Sequence, residues 1–245
     1  ITKVNLTNMS TDGSVDQNPI ALYDTATLFV SGSSKANGRY MFHSMDATIG
    51  GDTKQLWLFA GTGNYHRIND VAPTNSNILV GIKDVHYPNF KKLLQPEIIT
   101  DRNLTLCSDV TNDGTGALCP DNTNLGWVVY LENGAKVTNE PTVSKNKVYF
   151  PIYEPQAIAS CDLGNGYICA MDDECGTNNS NELGSASLSS MCHLGGSGVI
   201  SKVVVFADKI FANIAGQNEA GGGLISADAV DSGADGYRSS WRENY

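Results

Sequence analysis

Short apolar runs recur along the whole chain, and each is bounded by Gly, Asn, Asp or Pro. Runs of this length that are rich in Val, Ile, Phe, Tyr and Trp are typical of β-strands. Only the segments 89–94 and 185–188 have a pattern that fits a turn of helix. The sequence therefore predicts an all-β protein. The predicted strands cover 27–30, 39–42, 55–60, 77–82, 127–131, 147–150, 166–171, 202–206 and 209–214.

A weak sequence repeat runs through these predicted strands. In the segments 29–50, 56–84 and 148–176, an apolar strand leads through a turn to a second strand that ends in Asp. This order is typical of a four-stranded propeller blade. A blade takes about 40–50 residues, so the chain length predicts a propeller or partial propeller of roughly five four-stranded blades. A β-sandwich with long loops is the alternative fold.

The net charge and the lengths of the apolar runs argue against two features, a nucleic-acid partner and a membrane span. The chain has 16 Lys and Arg against 26 Asp and Glu, for a formal net charge of −10. We expect no nucleic-acid partner, because phosphates would be repelled. No apolar run reaches the ~18 residues of a membrane-spanning helix, so we expect no membrane span. The chain begins with Ile1 and lacks a secretory signal, and we expect a processed, mature chain.

Six cysteines indicate an oxidising compartment. An even number of cysteines in a Gly-rich, acidic, all-β chain favours disulfides over free thiols. Closeness in sequence favours Cys107–Cys119, which would close an insert at 101–125. The other four cysteines lie between 161 and 192, and their pairing stays open. No CxxC occurs, which argues against a zinc site.

One segment near the start of the chain has the spacing of a calcium loop. Oxygen-bearing side chains occupy positions 1, 3, 5 and 9, and Gly13 stands at position 6, where the loop turns sharply. Alternate residues would then face a hard cation, with one backbone carbonyl completing the set. The alternative is an ordinary turn, which Asp-Gly favours. The candidate ligands are Asn8, Ser10, Asp12, Ser14 through its carbonyl, and Asp16.

A second candidate calcium loop lies between the first two cysteines. Asp109, Thr111 and Asp113 repeat the start of an EF-hand loop, with Gly114 in the turn position. Its last ligand position holds Pro120 instead of Glu, and the alternative is a disulfide-closed surface loop. The acidic run 172–174 is interpreted as a solvated face.

The sequence shows no pattern that predicts catalysis. The four histidines are isolated from any Ser or Cys nucleophile signature. Gly195-Gly196-Ser197-Gly198 is one residue short of a nucleophile elbow and lacks its strand–Ser–helix context. We therefore expect a protein that is not an enzyme.

Several motifs, in order, resemble one family. Gly-Trp opens the run 126–137, an apolar strand follows at 147–150, and a Tyr-x-x-Ala-Met-Asp strand occupies 167–172. Upstream, 58–65 contains Phe-Ala-Gly-Thr-Gly-Asn-Tyr, and the chain nears its end with Ser-Trp-Arg-Glu at 240–243. Over about residues 25–243 the chain resembles the C-terminal β-propeller domain of the PilY/PilC-type type IV pilus-tip proteins. The turn at 134–137 departs from the family because it lacks Glu.

The resemblance implies a location, partners and a function. It implies a non-enzymatic protein of the cell surface, exported through the periplasm, that acts in pilus-tip biogenesis, adhesion or surface sensing. Pilus or minor pilin subunits would be its partners, and Ca²⁺ would bind one propeller loop, as in the family. The family propellers have about seven blades. The resemblance thus implies that 1–245 is one propeller-type domain, completed by another chain or by a missing N-terminal part.

Two other functions stay open at this point. Quinoprotein dehydrogenases share the blade pattern, but this sequence lacks the adjacent cysteines of their cofactor site. A subunit of an extracellular filament is the second alternative.

Overall fold

The computed structural model describes residues 1–5, 24–34, 38–64, 66, 68, 76–85, 87, 99–106, 125–156, 163–176, 192–216 and 223–229. Over these residues the chain is nearly all β, as predicted, with a 3-10 turn at Asp101–Asn103. The strands are β1 Thr2–Asn5, β2 Asp24–Thr27, β3 Phe29–Val30, β4 Asp46–Ile49, β5 Leu56–Gly61, β6 Ile78–Asp84, β7 Ile99–Thr100, β8 Thr105–Leu106, β9 Gly126–Tyr130, β10 Lys136–Val137, β11 Thr142–Ser144, β12 Lys147–Glu154, β13 Asn165–Asp172, β14 Cys192–Ile200, β15 Val204–Phe206, β16 Lys209–Gly216 and β17 Leu224–Asp228.

The first sheet is built from five strands in the order β4-β5-β6-β9-β8. Its first four strands are antiparallel, and β8 runs parallel to β9. Gly81 of β6 lies directly opposite Trp127 of β9. A Cβ at Gly81 would overlap the indole ring, so the glycine makes room for the tryptophan. Two smaller pairs, β1 with β2 and β3 with β7, accompany this sheet.

The second and third sheets are continuous through β14. The second sheet contains β10 to β14, in which both β10 and β11 pair with β12, and β12, β13 and β14 are antiparallel neighbours. The third sheet contains β15, β16 and β17. The end of β14 leaves β13 and pairs with β16. Gly196 and Gly198 hold φ values of 138° and 129° in this crossing segment, a conformation that favours glycine.

Three buried apolar clusters lie between the packed sheets and strands. One face of the first sheet, which carries Trp57 and Phe59, packs against Phe150 and Tyr167 of the second sheet. Alternate residues of the second sheet, such as Tyr149, pack against the third. The other face of the first sheet packs on β3 and β7. The first and second sheets therefore bury both faces, and successive sheets stack face to face, consistent with part of a propeller or with a β-sandwich.

Two adjacent strands of the second sheet are joined by a disulfide. Cys169 and Cys192 lie opposite each other on β13 and β14 and form the bond. Cys175 is also disulfide-bonded. The structure thus confirms disulfides and assigns one of the pairings that the sequence left open. The predicted Cys107–Cys119 pair lies outside the described residues.

Most of the predicted strands are confirmed, often with a longer extent. The run 147–150 belongs to an eight-residue strand, β12, because apolar residues face both neighbouring layers. The strand predicted at 39–42 is wrong, since this segment has no strand structure. Its Arg39 is instead turned inward, with its guanidinium 2.7 Å from Asp101 and bonded to the Ser76 carbonyl oxygen.

Candidate functional site

Three polar side chains meet where the sheets come together. Ser44, Glu140 and Lys202 each stand two residues before a strand, namely β4, β11 and β15. They therefore hold the same position in three successive sheets. The Ser44 hydroxyl and the Lys202 ammonium both donate to the Glu140 carboxylate. We call these three residues the junction cluster.

Hydrogen bonds between the same three segments align their backbones. The Asp46 carboxylate accepts the Val143 N–H at 2.8 Å, which ties β4 to β11. The Thr142 hydroxyl donates to the Val203 carbonyl oxygen at 2.6 Å, which ties β11 to the start of β15. One strand from each of the three sheets, namely β4, β11 and β15, thus lies beside the next, and the junction cluster forms because these strands converge.

The electrostatics of the junction cluster favour binding over proton transfer. The hydrogen bonds from Lys202 and Ser44 lower the pKa of Glu140, so its carboxylate stays ionised. Burial lowers the pKa of the nearby His43, which keeps that imidazole neutral at pH 7. Both charged groups of the cluster are about one-third exposed. An ammonium, a carboxylate and a hydroxyl at the surface can bind polar groups of a ligand.

A second set of ionisable groups lies at the opposite end of β11 and β4. The turn after β13 places Asp172, Asp173 and Glu174 against the second sheet. Asp173 is only 3% exposed and Glu174 is 9% exposed, so the interpretation of this run as a solvated face is wrong. The first sheet lies against this run and donates hydrogen bonds to the Glu174 carboxylate and the Asp173 backbone carbonyl oxygen. We call this run the acidic turn.

The acidic turn fastens the second sheet to the first. The Glu174 carboxylate accepts the backbone N–H groups of Asp52 and Thr53 at 2.7 and 2.8 Å, in the loop between β4 and β5. The Trp127 indole N–H donates to the Asp173 carbonyl oxygen at 2.9 Å. Because buried polar groups need partners, these bonds fix how the two sheets pack together.

Burial gives one carboxyl of the acidic turn an unusual proton affinity. Desolvation, with added repulsion from Asp172 and Glu174, raises the pKa of Asp173 to about 7. Burial also raises the pKa of Asp172, although the Lys147 ammonium, 3.7 Å away, opposes that shift. A neutral Asp173 can therefore persist at mildly acidic pH.

The predicted calcium ligands stay untested. All of them lie outside the described residues, in the two loops of Asn8–Asp16 and Asp109–Asp113. Within the part of the chain that the structure describes, no three His, Cys, Asp or Glu side chains are placed to hold a metal ion. No helix among those residues has the length and apolar character needed to span a membrane.

Sequence reasoning missed the junction cluster. Its members are far apart in the chain and differ in type, so no local motif unites them. The only signal was position, because each stands two residues before a strand. That shared position becomes visible only when β4, β11 and β15 are known.

Comparison with known proteins identifies a similar fold. No family model and no curated protein matches the sequence. Among solved structures, the chain is similar to the Pseudomonas aeruginosa PilY1 C-terminal domain, with a TM-score of 0.51 and 12% sequence identity. The match covers 82% of this chain and 48% of that one, so this chain spans about half of the solved domain. At this identity the likeness shows the fold alone.

Asp173→Asn should change how stability depends on pH. The unfolded Asp173 releases its proton near pH 4, whereas the folded one keeps it to about pH 7. Between these values the folded state binds more protons, so stability falls as the pH rises, by on the order of 1–4 kcal/mol. The amide cannot ionise, and urea titrations of the variant at pH 5 and pH 8 should show most of this fall removed.

Asp208→Asn is the matched control for this measurement. It removes an exposed carboxylate that pairs with Lys145, and we expect the pH dependence of the wild type. If the stability of Asp173→Asn depends on pH in the same way as that of the wild type and of Asp208→Asn, the carboxyl of Asp173 does not change its protonation state between pH 5 and pH 8, and its pKa is not raised to about 7.

Proposed function

We propose that this chain belongs to a non-enzymatic, pilus-associated protein of the cell surface, exported through the periplasm, that acts in pilus-tip biogenesis, adhesion or surface sensing. The observation that carries the proposal is the structural likeness to the PilY1 C-terminal domain over 82% of the chain. The ordered motifs that resemble the PilY/PilC-type pilus-tip proteins support it independently of that comparison.

The chemistry of the junction cluster supports a binding role over a catalytic one. The Ser44 hydroxyl donates to Glu140, whose carboxylate has a lowered pKa. A weakly basic carboxylate is a poor acceptor for the proton of a serine nucleophile. The Lys202 ammonium is already paired with the same carboxylate. These groups suit contacts to a partner, and pilus or minor pilin subunits are the partners that we propose.

Deletion of the gene in its source organism tests the proposed function. We expect a several-fold loss of surface pili, counted by electron microscopy, and recovery when the intact gene is returned. The protein should also appear in the fraction of pili sheared from the cell surface, detected by immunoblot. Unchanged piliation and adhesion, with the protein absent from the sheared fraction, would contradict the proposal.

We also propose that Ca²⁺ modulates this protein through the loop from Asn8 to Asp16. A cation bound only by the folded state raises stability by mass action. Calcium should therefore raise the melting temperature, and replacing Asp12 and Asp16 together should abolish the rise. If the rise persists in that variant but is lost when Asp109 and Asp113 are replaced, the second loop is the site. No rise in the wild type rejects both loops.

A further inference from the structure

Three consecutive carboxyl groups of the acidic turn lie at the contact between the first and second sheets. Asp172 lies 3.7 Å from the Lys147 ammonium, and the Glu174 carboxylate accepts two backbone N–H groups of the loop between β4 and β5. Asp173, between them, is only 3% exposed. A buried carboxylate beside two charged ones is costly, so this packing favours a proton on Asp173. Burial and the repulsion from both neighbours raise its pKa to about 7.

The other charged side chains around the acidic turn leave that assignment in place. Lys83 of the first sheet is buried, and its ammonium lies over the Trp57 ring, 5.7 Å from the ring centroid. Asp84 follows it on β6 and therefore points to the opposite face of the sheet. Three further charged side chains near the turn are at least partly exposed, namely Asp52, Lys54 and Lys145. Water screens those charges, and the carboxyl groups on either side of Asp173 exert the largest charge effects on it.

The bonds that fasten the two sheets at this end depend on the position of the acidic turn. The Glu174 carboxylate holds the Asp52 and Thr53 N–H groups. The Asp173 carbonyl oxygen accepts the Trp127 indole N–H. Hydration of an ionised Asp173 requires the turn to move away from the first sheet, because its carboxyl is buried there. Such a movement breaks these bonds together.

Cross-links and bonds elsewhere confine this movement to the turn. A disulfide between Cys169 and Cys192 joins β13 to β14, and Cys175, directly after the acidic turn, is also disulfide-bonded. At the opposite end of the contact between the two sheets, the Asp46 carboxylate accepts the Val143 N–H at 2.8 Å. None of these bonds involves a carboxyl group of the acidic turn. The turn can therefore open while the first and second sheets stay packed elsewhere.

We infer that the acidic turn is a pH-sensitive latch between the first and second sheets, closed when Asp173 carries a proton and weakened when Asp173 is ionised. In the open turn the Asp173 carboxyl is hydrated and releases its proton near pH 4. Between about pH 4 and pH 7 the closed turn binds more protons than the open one. The ratio of open to closed turn therefore rises with pH across that window, by up to about tenfold per pH unit, and levels off above it. The inference rests on the packing of the turn and holds whether or not the protein is pilus-associated.

Hydrogen exchange of single amides in the full chain, measured by NMR, tests the latch. The protection factors of the Asp52 and Thr53 N–H groups, which correct for the pH dependence of intrinsic exchange, should fall about 10- to 100-fold between pH 5 and pH 8. Low concentrations of urea should leave exchange at these two amides unchanged. A local opening exposes little surface, whereas exchange through unfolding of the whole chain accelerates with urea.

Two variants show whether Asp173 is the group responsible. Asp173→Asn cannot ionise, and its protection factors at Asp52 and Thr53 should be the same at pH 5 and pH 8. Asp208→Asn, which removes an exposed carboxylate, should behave like the wild type. Wild-type protection factors at these amides that do not change with pH, or exchange that accelerates with urea, would overturn the inference. A pH dependence that persists in Asp173→Asn would overturn it as well.

Discussion

The packing of Trp127 between the first and second sheets is the contact on which the rest of the arrangement depends. Its ring lies over the backbone of Gly81, and its centroid is 6.1 Å from that of Phe59 and 6.3 Å from that of Phe150. Its N–H reaches across to the Asp173 carbonyl oxygen. One fully buried side chain thus supplies apolar area, ring contacts and a directional hydrogen bond to both sheets. The distance and orientation of the two sheets follow from it.

Once those two sheets are fixed, the positions of the polar groups follow. The turn after β13 lies against the loop between β4 and β5, so the Glu174 carboxylate can accept the N–H groups of that loop. The same packing leaves the Asp173 carboxyl poorly solvated, which favours its neutral form. At the other end, β4 and β11 come side by side and place Ser44 against Glu140. The acidic turn and the junction cluster are therefore two consequences of one sheet-on-sheet contact.

The strands that bury both faces could be predicted, and the polar sites could not. The apolar runs of β6 and β12 are long and continuous, which is the signature of a strand between two packed layers. β14 was missed because Gly195, Gly196 and Gly198 give it little apolar character. It forms a strand because it pairs with β13 and β16, and the Ile225 and Ile214 side chains approach Gly195 and Gly196 while the Ala215 backbone approaches Gly198. Burial of the acidic turn depends on partners far away in the sequence, which no local pattern reveals.

The stability of Gly81→Ala, compared with that of Gly51→Ala, tests the central role of Trp127 most directly. A methyl group at Gly81 must displace the indole, whereas the nearest atom to one at Gly51 is 3.8 Å away. Urea unfolding should show a loss of ~1–3 kcal/mol for Gly81→Ala. Gly51→Ala should stay within ~0.5 kcal/mol of the wild type. Equal stability of the two variants would contradict the claim that this tryptophan, seated on Gly81, determines how the sheets pack.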